Sequence, residues 1–200
     1  GAGNVGWHLA IALNRANIGL KQLFGRNEAS LKQLSKEVNC DYTTDYRNIL
    51  PDADLYIIAL AEKAINEVLD KTQLNNKLIA HTAGSVQMDI LEPYSQNFGV
   101  FYPLQTFSKQ DKINYTDIPF CIEANTAENL EKLIDLAKKI TNDVRIIDSE
   151  QRKLLHLAAV FACNFPNFLY VISEQILGEN GLDFDRSEEH TSELQSLLII

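Results

Sequence analysis

Apolar positions along this chain follow two periods in alternation. After the opening "GAGNVG", Val5, Leu9, Ala12, Leu13 and Ala16 share a helical face, and the pattern breaks at "NIGL" around Gly19. "LKQLFGR" reads as a short strand, "NEASLKQLSKEV" as an amphipathic helix opened by Asn27, and "CDYTTD" as another extended piece. "ADLYIIAL" is a near-continuous apolar run, as a strand covered on both faces requires, and helix "EKAINEVLDKT" and strand "KLIAHTA" follow it. Strand and helix alternate, which predicts a doubly wound α/β sheet.

Beyond residue 84, a short helix near "VQMDILEPY", strand "FGVFYP", polar loop "SKQDKINYTD", strand "PFCIEA", helix "TAENLEKLIDLAKKI" and strand "DVRIIDS" extend the same sheet. From Glu150 the pattern changes to one long apolar helical segment with Pro166 inside it, where a kink is expected. The expected division is therefore 1–149, a dinucleotide-binding domain; 150–185, the start of a helical domain for substrate binding and dimerisation; and 186–200, a tail.

Charge and composition narrow the setting. A net charge of -9 disfavours sequence-independent binding to nucleic acid or anionic membrane. Cys40, Cys121 and Cys163 are widely spaced without metal-binding spacing, and are expected as reduced, mostly buried thiols of a cytoplasmic protein with no metal site. No apolar run of membrane-spanning length is expected.

The opening glycines carry the most specific chemistry. In G-x-G-x-x-G, Gly1 permits a tight turn, Gly3 lets a pyrophosphate approach the backbone around Asn4 and Val5, and Gly6 allows close helix packing. That motif works between a strand and a helix, so a first strand is expected ahead of Gly1 and is missing from the chain. Arg26 stands twenty residues after Gly6, at the end of the next strand, beside Asn27. An arginine there pairs with the 2′-phosphate of NADP, where NAD sites place a carboxylate. Leu60 and Ala61, after the apolar strand, are expected along the cofactor path; simple packing is their alternative.

Candidates for chemistry follow the later strands. "HTAGS" sets His81 at a strand mouth, as a proton donor or as a group satisfying its own loop. Tyr102, Gln105 and Ser108 bring polar groups into "FYPLQTFS". On the apolar helix, His156 and Asn164 share a face and could hold and protonate a carbonyl or imine; a satisfied core histidine is the bland alternative.

Together "GAGNVG", "GRN", "HTAGS", "FYPLQTFS" and "LHLAAVFACNFPN" resemble an uncharacterised bacterial family joining a Rossmann-like NADP-binding domain to a helical domain of unknown function. That family is similar in plan to pyrroline-5-carboxylate reductases and to 6-phosphogluconate and β-hydroxyacid dehydrogenases. The resemblance implies a Rossmann-like doubly wound sheet followed by a truncated all-α domain, an NADP-dependent reductase of a small carbonyl or imine, and a homodimer when full-length. A non-catalytic NADP-binding or redox-sensing module is the alternative. Val160 stands where the hydroxyacid dehydrogenases carry their catalytic lysine, so that mechanism does not transfer.

The tail Arg186–Ser196 tempts as a metal cluster through Glu188, Glu189, His190 and Glu193, but it resembles the translation of a short-read sequencing adapter. With the authentic chain ending near Asp185, the apolar faces of the last helix are expected to be exposed.

Overall fold

The computed structural model describes residues 1–74 and 76–182; the expectations for the tail fall outside the described residues. The chain divides into two compact units, the first Gly1–His156 and the second beginning at Leu157.

In the first unit the alternation is realised as α1 (Asn4–Arg15), β1 (Leu23–Phe24), α2 (Glu28–Val38), β2 (Tyr42–Thr43), β3 (Leu55–Ile58), α3 (Glu62–Leu69) and β4 (Leu78–His81). There follow β5 (Asn97–Pro103), β6 (Phe120–Ala124), α4 (Ala127–Lys138), β7 (Val144–Ile146) and α5 (Ser149–Ala159), whose last turn runs into the second unit. The main sheet has the order β3-β4-β5-β6-β7; β3, β4 and β5 are parallel, and β6 turns antiparallel against β5, pairing Tyr102 with Cys121. Leu9, Leu13, Phe101, Phe120 and Leu133 pack in one buried cluster, and Ile65, Leu69, Ile79, Leu91 and Phe98 in another. Burial on both faces is why the strand sequences read as continuous apolar runs rather than alternating ones.

One expectation is modified. β1 and β2 form their own parallel pair and are not hydrogen-bonded to the main sheet. Between β1 and β3 lies a cavity of about 430 Å³, walled by Leu9, Leu13, Leu23, Leu55 and Ile57. Apolar side chains make up most of its wall. Gly1 lies against Gly25 at the end of β1 and Ala59 at the end of β3.

The helical segment also differs in detail. Five residues, Val160–Asn164, form a π-helical turn before α6 (Phe165–Glu179). Pro166 has no N–H to offer the carbonyl one turn back, and the helix relieves this by widening just ahead of it. In the second unit Phe161, Phe165, Phe168, Leu169 and Ile176 are all about half exposed or more. Ser149–Glu179 is long and apolar enough to cross a membrane, with a mean hydropathy of 1.5 over its most apolar stretch, which corrects the expectation that no run reaches that length. Asn164 and Asn167 interrupt the apolar lettering without lowering the average enough. The same composition suits a helix packed against a partner.

Candidate functional site

The glycine loop has the shape its spacing implies. Gly3 is the N-cap residue of α1, in extended conformation, with no side-chain cap and no acidic residue in the first turn. The backbone N–H groups of Asn4, Val5 and Gly6 precede the first intrahelical bond, from Trp7 N to the Gly3 carbonyl 2.8 Å away, so they and the helix dipole face outward. The three glycines differ. A Cβ on Gly6 would overlap the Gly1 carbonyl, and one on Gly1 would lie 2.5 Å from the Ala59 carbonyl oxygen, whereas one on Gly3 would meet no protein atom within 4 Å. Gly1 and Gly6 therefore serve packing and Gly3 serves open approach. Those residues fit a dinucleotide pyrophosphate.

Around this loop, Arg26 is exposed just beyond β1, its guanidinium 3.9 Å from Glu67 on α3. That pair is long and solvated, contributes little, and leaves the guanidinium available. Asn27 has a local role: its side chain accepts a 2.9 Å bond from Ser30 N and caps α2. Leu60 lies against Gly1 through its side-chain Cδ2, and Ala61 is the N-cap of α3.

The carboxyl ends of β4 and β5 hold the second group. His81 is fully buried; its Nδ1 accepts from Ala83 N at 3.2 Å, which places the proton on Nε2. Burial, reinforced by the positive charge of Arg152 and weakly opposed by the Gln87 carbonyl, holds its pKa down to about 4. His81 is thus neutral at physiological pH, and Nε2 makes no hydrogen bond among the described residues. Its position favours the loop-satisfying alternative over proton donation.

His156 is placed differently. Its Nδ1 lies 2.9 Å from the Tyr102 phenol oxygen at the end of β5, and the two rings meet edge to face at 6.0 Å. Gly84 makes room for it: a Cβ there would be 2.5 Å from His156 Nδ1 and 2.8 Å from Tyr102 Cζ. Burial pushes the Tyr102 pKa up to about 12, so the phenol stays protonated and donates to Nδ1. His156 then carries its proton on Nε2, free to be given to a bound acceptor. "HTAGS", "FYPLQTFS" and the start of the apolar helix converge on this one pair.

Sequence reasoning missed the anchor of that helix. Arg152 is 1% exposed and pairs with Glu123 on β6, donates to the Val86 carbonyl at 2.5 Å and to Ser149 Oγ at 2.9 Å. Ser149 Oγ donates in turn to Glu123 and accepts from Met88 N. Arg152 sits one turn before His156 and fixes where that side chain enters the site. The only signal was the charged "QRK" at the start of an apolar helix.

Asn164 lies in the π-helical turn of the second unit, exposed to solvent. Cys40 and Cys121 are buried free thiols, but Cys163 is exposed, against the expectation for that residue. No group of residues able to hold a metal occurs among the described residues.

Residues 118–198 match a family described as a domain of unknown function, DUF2520. Comparison with curated proteins gives no match. Among solved structures, a provisionally assigned NADP oxidoreductase from Bacteroides fragilis is 39% identical, with a TM-score of 0.93, covering 100% of this chain and 79% of its own. A pyrroline-5-carboxylate reductase from Coxiella burnetii is 17% identical, with a TM-score of 0.63 over 97% of this chain and 74% of its own. An imine reductase from Myxococcus stipitatus, in complex with NADP+, is 14% identical, with a TM-score of 0.70 over 98% of this chain and 71% of its own. The last two share the fold alone.

Glycine loop, parallel sheet and following helical region define a Rossmann-like protein of the oxidoreductase-fold class. Within that class, the chain belongs to the family of the Bacteroides fragilis protein.

Proposed function

We propose that this protein is an NADP-dependent oxidoreductase that reduces a small carbonyl or imine compound. The observation that carries the reading is the uncapped amino end of α1, open at Gly3, with the Arg26 guanidinium exposed beyond the neighbouring strand. The N–H groups at Asn4, Val5 and Gly6 hold the pyrophosphate, and Arg26 pairs with the 2′-phosphate. NADPH, when bound, supplies the hydride.

The chain's own part in the chemistry falls to His156. Tyr102 holds its ring by the 2.9 Å bond to Nδ1, and the Nε2 proton passes to the carbonyl oxygen or imine nitrogen as that atom gains electron density while the Tyr102 hydroxyl proton moves onto Nδ1, so the ring stays neutral and the phenol is reprotonated from solvent. Asn164 is assigned to holding the substrate by the helical spacing it shares with His156 in the sequence. The protein works in the cytoplasm and pairs with a second copy through the apolar side chains of the second unit, Phe161, Phe165 and Phe168 among them.

Turnover tests this reading: NADPH consumption is followed spectrophotometrically with a panel of small keto acids and cyclic imines, for wild type and His156→Ala. At least one substrate class should be reduced, with the variant slowed by about a hundredfold. Tight NADPH binding with no turnover across the panel would instead mark a non-catalytic dinucleotide-binding module.

A further inference from the structure

The loop between β5 and β6 is fastened to α1. Phe107 stacks on buried His8, with ring centroids 5.0 Å apart and planes within 20°. His8 Nε2 donates to the Ser108 carbonyl at 2.7 Å, and its Nδ1 lies 2.8 Å from the Tyr115 hydroxyl. A carbonyl can only accept, so the proton is on Nε2 and the tautomer is set by the loop itself. Asp111 closes the turn by accepting from Ser108 N at 2.9 Å.

This clamp delivers Lys109 to the amino ends of two helices. Its Nζ lies 4.9 Å over the Trp7 ring, in the first turn of α1, and donates to Ser30 Oγ at 3.1 Å, in the first turn of α2. Ser30 is four residues past Arg26 and is tied to Asn27 through the helix cap. Lys109 is half-buried, and no carboxylate forms an ion pair with it among the described residues. An ammonium held between two positive helix ends is electrostatically unfavourable unless an anion shares the space.

We infer that Lys109 is a second cation for the 2′-phosphate of NADP, acting with Arg26 across the start of α2, and so a determinant of NADP over NAD. This rests on the cofactor reading proposed above. Ser30 Oγ holds the ammonium in place before the cofactor arrives, and the His8 clamp prevents the loop from carrying it away. Lysine serves here as a point charge and arginine as the planar fork.

Fluorescence titration with NADPH, NADH and 2′,5′-ADP, on wild type, Lys109→Gln and Lys109→Arg, tests it. Lys109→Gln should weaken NADPH and 2′,5′-ADP by about tenfold and leave NADH within about twofold, with Lys109→Arg restoring most of the loss. Unchanged thermal melting keeps a folding defect from producing the same result. Equal loss of NADPH and NADH, or no loss of either, would overturn the role of Lys109 while leaving the cofactor site standing. Failure of the wild type to bind either dinucleotide would overturn the cofactor reading itself.

Discussion

His156 Nδ1 and the Tyr102 phenol oxygen, 54 residues apart in sequence, lie 2.9 Å apart at the carboxyl edge of the sheet. Gly84 is what allows the approach, since its missing side chain leaves the volume that the imidazole fills. A strand end, a turn and a helix thus meet at one proton-bearing ring.

Gly84→Ala should therefore behave as a site mutation. The added methyl displaces His156, so reductase activity should fall about as far as in His156→Ala, with a stability loss of about 1–3 kcal/mol. Tyr102→Phe should keep the fold and lower kcat by about tenfold, because the ring remains packed while its proton is no longer held on Nε2. Steady-state kinetics and denaturant melts of the three variants check this. Full activity in Gly84→Ala would remove His156 from the reaction.

The second and third glycines of the loop, Gly3 and Gly6, should separate binding from stability. Gly6→Ala collides with the Gly1 carbonyl and should destabilise the protein, whereas Gly3→Ala meets no protein atom and should melt like wild type while losing dinucleotide affinity. Calorimetric melts paired with NADPH titration distinguish the two. Unchanged NADPH affinity in Gly3→Ala would place the phosphates elsewhere.

His81 gives the fold an acid limit. Its folded-state pKa, about 4, lies below the ordinary 6.5, so between those values the unfolded chain binds more protons than the folded one. The stability from burying the neutral ring is complete above 6.5 and is lost as pH falls towards 4, about 3 kcal/mol in all. Urea melts from pH 7 to 4 should show a steeper decline for wild type than for His81→Asn, which has no such titration. Parallel declines would contradict the assignment.

Arg152 should be among the most sensitive positions. Arg152→Met leaves the Glu123 carboxylate without its cation and the Val86 carbonyl without its donor, a loss of about 3–5 kcal/mol, part of which Glu123→Gln should recover in the double variant. Chemical denaturation of the single and double variants measures the coupling. Additive losses would show that the two side chains act independently.

Much of this was legible in the sequence because it is local. The glycine spacing, the Asn27 cap and the apolar strands each declare themselves within a few residues, and the structure forms α1, α2 and β3 to β5 from them. Long-range pairing is where legibility ends. "QRK" gives no local sign of burial, yet Arg152 is buried because Glu123, from a strand 29 residues earlier, lies beneath it. His8 reads as one more helix residue until Phe107, Ser108 and Tyr115 close around it. Pro166 announces a break in its helix, but not that the break takes the form of a π-helical turn.

The central claim is that the glycine loop and Arg26 hold NADP, and paired titrations of wild type and Arg26→Asp with NADPH and NADH test it most directly. Wild type should prefer NADPH, and Arg26→Asp should lose NADPH affinity by about tenfold or more while NADH is unchanged or improved. Equal weakening of both dinucleotides, or a wild type with no preference between them, would contradict the account.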